Sequence, residues 1–145
     1  MEAIKNDDKK LFGDFAVLAC GLDEDKHRAF LSVAKDFSGD LKVVFAADGS
    51  ENKTLSELFK LDDLYGFLKP SLMPKALIMS GFRQNQLLEF IEKVKHALIG
   101  FELMAVLTPI SVKWKLSDLL NELKKEAEEF KRRRENERDD KKSTT

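Results

Sequence analysis

The sequence predicts an α/β fold, and three observations predict it. Four short apolar runs alternate with amphipathic stretches. The first and third of these runs each end at a glycine, Gly21 and Gly81. The order of strand, helix, strand and short helix is also written twice. Laying residues 15–59 over 75–120 matches residue classes with one inserted residue: 16–22 falls on 76–82, Phe30 on Phe90, Lys35 on Lys95, and 55–58 on 116–119.

The elements follow in chain order. Residues 1–13 are polar, charged and without period, which reads as a disordered arm. The apolar run 15–20 ends at Gly21, a strand followed by a turn. Asp23 is placed to cap a helix whose first turn holds Glu24 and Asp25, acids that suit the positive end of the helix dipole. His27, Phe30, Leu31, Ala34 and Phe37 then recur at helical spacing, and Ser38-Gly39-Asp40 ends the element. Residues 41–47 form a second strand around Val43, Val44 and Phe45. Thr54 and Glu57 have the spacing of a capping box, in which hydroxyl and carboxylate each take an orphan amide. A short helix is predicted from there to about Phe67. Pro70 and Pro74 make 68–74 a connector.

The second unit repeats the order. A strand at 76–80 is followed by a helix from Gln84 to about Ile99, with Leu87, Leu88, Ile91, Val94 and Leu98 on one face. Residues 101–107 form the fourth strand, which Pro109 ends because it has no amide to donate. From Leu116 the spacing of Leu119, Leu120, Leu123, Ala127 and Phe130 is that of a long amphipathic helix. All four strands are apolar with little alternation, the pattern of strands covered on both faces. A β-α-β crossover leaves its two strands parallel. The expected architecture is therefore one four-stranded, largely parallel sheet with helices on both faces. A ferredoxin-like split β-α-β sheet, covered on one face only, is the alternative. A single domain of 14–130, built of units at 15–66 and 75–130, would carry a charged helix extension or disordered tail at 131–145.

Composition limits the functions open to this chain. With 145 residues and a net charge of -1, it has no global basic field to draw nucleic acid or an anionic membrane. No apolar run approaches the ~20 residues of a spanning helix. One cysteine, Cys20, excludes an intrachain disulfide and fits a reducing compartment. The first residues show neither an apolar signal core nor transit-peptide composition. An intracellular setting is expected, cytoplasmic, or organellar if a targeting segment has been removed. There is no metal-ligand spacing, phosphate loop, dinucleotide fingerprint or nucleophile elbow. No enzyme activity, metal or cofactor is expected.

Two sets of candidate site residues remain. Cys20 and Ser80 end the first and third strands, and strand ends before a glycine turn are where open α/β sheets hold ligands. A buried thiol acting as a small hydrophobe is the other reading of Cys20. At the second turn, Ser80, Gly81, Arg83 and Gln84 place helix amides beside a guanidinium, and Gly21 of the first turn, which acids follow, is expected to share the ligand with them. That arrangement would suit a phosphate or carboxylate. The second set is Trp114 with Lys131, Arg132, Arg133 and Arg134. Trp114 either anchors the loop into the last helix or offers a platform. The basic cluster can hold RNA phosphates or a partner's acids, and it can equally be a solvated helix end. His27 is expected at the edge of an apolar face, and His96 in solvent.

Residues 75–129 resemble a family of small domains of unknown function, known mainly from bacteria and archaea. The resemblance rests on Met79-Ser80-Gly81-Phe82, on Ala105-Val106-Leu107-Thr108-Pro109 followed by Trp114, and on Leu116-Ser117-Asp118-Leu119-Leu120-Asn121-Glu122-Leu123. It departs at Arg83, where the family has an acid or serine, at Ser111 and at Lys115. The resemblance implies an α/β fold and carries no activity. A non-catalytic protein-interaction or scaffold module with an unidentified protein partner is expected. An anion- or nucleotide-binding regulatory domain is the first alternative, and an RNA-associated protein, less favoured, the second. The oligomeric state is left open.

Overall fold

The structure, a computed structural model, describes residues 9–143, with side chains through residue 135. The arm at 1–8 and the end of the tail lie outside the described residues. Strands β1 (Ala16–Cys20), β2 (Lys42–Phe45), β3 (Ala76–Ser80) and β4 (Leu103–Val106) form one sheet in the order β2-β1-β3-β4. Helices α1 (Glu24–Phe37), α2 (Leu55–Phe59), α3 (Gln84–His96) and α4 (Leu116–Ser143) cover it. The tandem β-α-β-α order is as the sequence predicts.

Within each unit the strands are parallel, β1 with β2 and β3 with β4. The central pair is antiparallel. Ala16 pairs with Ser80, Leu18 with Ile78 and Cys20 with Ala76, so exchanging the two units leaves the register unchanged. The sheet is therefore mixed. The reason is the route of the connector. It returns the chain to the end of the sheet at which β2 stopped, so β3 starts beside Cys20 and runs back.

Alternate strand residues face opposite layers, and both layers are apolar. On one face Val17, Ala19, Val43, Leu77 and Met79 meet Phe30 and Ala34 of α1 and Phe90 and Val94 of α3. On the other, Leu18, Val44 and Ile78 meet Leu55 and Leu58 of α2 and Leu116, Leu119 and Leu120 of α4. Helices on both faces exclude the ferredoxin-like alternative. Where α2 and α4 begin, Leu55 N–H donates to Trp114 O and Leu116 N–H to Lys53 O, both at 2.9 Å. These bonds, too, are reciprocal between the units.

Local signals place the helix starts. Asp23 accepts from Lys26 N–H at 2.9 Å, and the Thr54/Glu57 capping box is formed in both directions. The predicted helix to Phe67 is corrected: α2 ends at Phe59. Residues 61–68 turn instead, with Leu64 and Leu68 at positive φ (71° and 66°), which no helix admits. Residues 9–13, expected to be loose, lie against the second turn, where Leu11 N–H donates to Phe82 O at 2.8 Å.

Gly21 and Gly81 have φ of 76° and 70°. A Cβ on Gly81 would run into the backbone of Gly13 and Asp14, and one on Gly21 into the carbonyls of Met73 and Pro74. Gly81→Ala should therefore lose about 2–3 kcal/mol of unfolding free energy in urea. Gly39→Ala, whose Cβ would meet nothing within 4 Å, should stay within about 0.5 kcal/mol of the parent. Equal effects would contradict the crowding.

Candidate functional site

The antiparallel centre separates the residues expected to share a ligand. Gly21 leaves β1 at one end of the sheet, and Gly81 leaves β3 at the other, about 20 Å away at ~3.4 Å per strand residue. No cavity joins them among the described residues. Chain fills each turn instead. Gly21 N–H donates to Ser71 Oγ at 3.2 Å, and Gly81 N–H to Phe12 O at 2.9 Å. The start of α3, expected to offer open amides, already has acceptors: Arg83 N–H donates to Gln86 Oε1 and Gln84 N–H to Lys9 O, both at 3.1 Å. The expected set of Ser80, Gly81, Arg83 and Gln84 is contiguous in the chain. It forms no shared pocket with Gly21.

Cys20 is buried, and burial pushes its thiol up to about 12, so it carries no thiolate at neutral pH. It packs among Leu18, Val44 and Ile78 as a small hydrophobe. Ser80 is buried with its hydroxyl unpartnered among the described residues. It borders a recess of about 170 Å³ with Gly13, Asp14, Ser56 and Lys60, room for a few water molecules. Among the described residues no group of three or more His, Cys, Asp or Glu is placed to hold a metal ion. No helix among them is long and apolar enough to cross a membrane.

Trp114 serves the fold through its backbone carbonyl, while its side chain borders an open groove with Asp118, Asn121, Glu122 and Lys125. The apolar stripe of α4 continues past the sheet. Leu116, Leu119 and Leu120 are buried, but Phe130 is 62% exposed, and the Arg134 guanidinium lies 5.8 Å from its ring. Lys131, Arg132, Arg133 and Arg134 are all exposed beside it. Where the helix leaves the body, a groove of about 480 Å³ opens between Ala127 on α4 and Leu72, Met73 and Leu103. Leu72 is 99% exposed.

The two outer strands differ, which sequence reasoning missed. Residues 61–68 close the edge of β2. Val43 N–H donates to Asp63 Oδ1 at 2.8 Å, Leu64 N–H to Val43 O at 2.7 Å, and Phe45 N–H to Tyr65 O at 2.8 Å. Lys35 Nζ holds the other oxygen of Asp63 at 2.9 Å. Burial raises the Asp63 carboxyl, but the bonds from Lys35 and Val43 outweigh it and hold the group below the usual range. His27 Nδ1 accepts from Leu68 N–H at 2.9 Å, and its ring lies 4.3 Å from that of Phe45. His27 is thus buried with a structural task, beyond the edge position its spacing predicted, whereas His96 is exposed. No such segment follows β4, because the chain continues as α4.

The class this defines is an α/β domain of two β-α-β-α units, with one sheet edge closed by its own chain and the other open among the described residues. Residues 75–130, from the start of β3 into α4, match the model of a family described as a domain of unknown function (DUF3783). No curated protein and no solved structure gives a significant match to the chain.

His27 makes the closed edge sensitive to pH. Burial lowers its pKa from the usual 6.5, against Asp23 and Glu24, which raise it. The unfolded chain then binds a proton that the folded chain refuses. Stability is full above about pH 6.5 and is lost as pH falls below it. His27→Leu should flatten that part of the pH profile. It should also cost about 1–3 kcal/mol at neutral pH, because Leu68 N–H loses its acceptor. A profile unchanged by the substitution would contradict this role.

Proposed function

We propose that the protein is a non-catalytic interaction module that engages a partner protein through α4. The observation that carries this reading is the apolar stripe of α4, which runs on to Phe130 after the body has ceased to cover it. A helix outside the body gains nothing from the core, and isolated helices of modest length are marginal in water. An apolar row beside a basic cluster is a surface suited to another chain. The groove around Leu72 and Ala127 extends that surface toward the body, whereas the groove that Trp114 shares with Asp118, Asn121, Glu122 and Lys125 lies on the other face of α4.

An anion or nucleotide site at the glycine turns has less to support it. Chain occupies both turns, and they lie at opposite ends of the sheet. Reading the two units as an internal repeat fits a scaffold, since the correspondence preserves packing residues and leaves the exposed ones to differ.

Deleting residues 130–145 should leave the melting temperature within a few degrees of the parent, because Phe130 and the cations after it are outside the core. The same deletion should abolish capture of the partner by the tagged protein from a lysate of its own source. Capture that persists at the parent level would contradict the reading, and a collapse of the melting temperature would show that the overhang serves the fold.

A further inference from the structure

The closed edge at β2 has a counterpart in the second unit, the outer edge of β4. By register, Met104 stands beside Leu77 as Val43 stands beside Val17. Val106 corresponds in the same way to Phe45. In a parallel pair, alternate residues bond to the neighbouring strand. Leu103 and Leu107 donate inward to β3, so Met104 and Val106 turn their N–H and C=O groups outward. Among the described residues nothing bonds to them, whereas the matching groups of Val43 and Phe45 are held by Asp63, Leu64 and Tyr65.

The helix beside the edge repeats the comparison. Lys95 corresponds to Lys35, the cation that holds Asp63, yet Lys95 is exposed and its ammonium has no ion pair or hydrogen bond among the described residues. Leu87 and Leu88 replace His27 and Arg28, and Leu88 is 68% exposed. Lys95 borders a hollow of about 260 Å³ with Phe101 and Met104. The edge therefore offers outward backbone groups, an apolar flank and one unmatched cation.

We propose that the edge of β4 binds a short segment of a partner protein in which a carboxylate residue is followed by a leucine and then an aromatic residue, as in Asp63-Leu64-Tyr65. The carboxylate takes the Met104 N–H and pairs with Lys95. The next N–H donates to Met104 O, and the third residue's carbonyl accepts from Val106 N–H. Main-chain bonds supply affinity, and the cation with its apolar flank supplies selectivity. A second copy is a poorer occupant. Two β4 strands paired antiparallel about a two-fold axis would bring the partner's only strand-flanking acid, Glu102, to the Val106 end, away from Lys95. The inference rests on the interaction reading but uses no residue of the overhanging helix.

The test uses the full chain, isotopically labelled, and a blocked peptide of residues 60–69 as the ligand. Saturable binding is expected, with amide shifts at Met104 and Val106. Lys95→Glu in the protein, or Asp63→Asn in the peptide, should each weaken binding about tenfold, the scale of one charge-assisted hydrogen bond. A peptide with Asp63→Lys should bind the Lys95→Glu protein more tightly than it binds the parent, through the reversed ion pair and without the Met104 bond. Deleting residues 130–145 should leave peptide binding intact, which separates this site from the α4 surface. Absence of saturable binding, indifference to Lys95→Glu, or shifts at Val43 and Phe45 through displacement of the chain's own segment would each overturn the proposal. So would a homodimer that Met104→Lys dissociates.

Discussion

The antiparallel pairing of β1 with β3 governs the rest of this molecule. Both strands are buried along their whole length and are apolar except for Ser80, so burial holds them in the centre of the sheet. Their register is centred on Leu18 and Ile78. A slip by one residue would exchange the side chains meant for the two layers and cost both cores at once. With that register set, both crossover helices fall on one face and both later helices on the other. The later helices meet where Thr54 and Lys115 pair. The same register sends the glycine turns to opposite ends, so no ligand can touch both.

The departure from reciprocity comes after the short helix of each unit. In the first unit the chain breaks at Phe59, turns along β2 and saturates its edge with main-chain bonds and one carboxylate. In the second, charged helix-forming residues follow Leu123, and the chain goes on as α4 to Ser143. An unpaired edge beside apolar side chains is a template for another chain. The first unit shows how this fold satisfies such an edge from within. The second leaves the same backbone groups, and the ammonium of the lysine that corresponds to Lys35, without a partner among the described residues.

Much of the fold was legible in the residues. Apolar runs closed by glycine, Asp23 before an acidic first turn, and Thr54 three residues before Glu57 are local signals, and local physics decides them. The direction of β3 relative to β1 was not legible. The crossover rule orients strands within a β-α-β unit and is silent between units. Residues 61–67 read as helix because the capping box at Thr54 and Glu57 starts one and no proline interrupts the chain before Pro70. Their true state depends on Leu64 and Leu68 adopting a left-handed backbone, which tertiary bonds to Val43 and His27 support. The candidate site at the glycine turns inherited the assumption of a parallel centre. The open edge was missed because it is a difference between two matching segments, visible only once the β2 edge is seen to be closed. Comparing Lys35 with Lys95, and asking which acid serves each, was the signal available.

The direct test of the central pairing is a set of cross-strand proton contacts by NMR on the full chain. The account predicts contacts between Ala16 and Ser80 and between Cys20 and Ala76, symmetric about Leu18 and Ile78. Contacts that join Ala16 to Ala76 and Cys20 to Ser80 would mean a parallel centre and would contradict it.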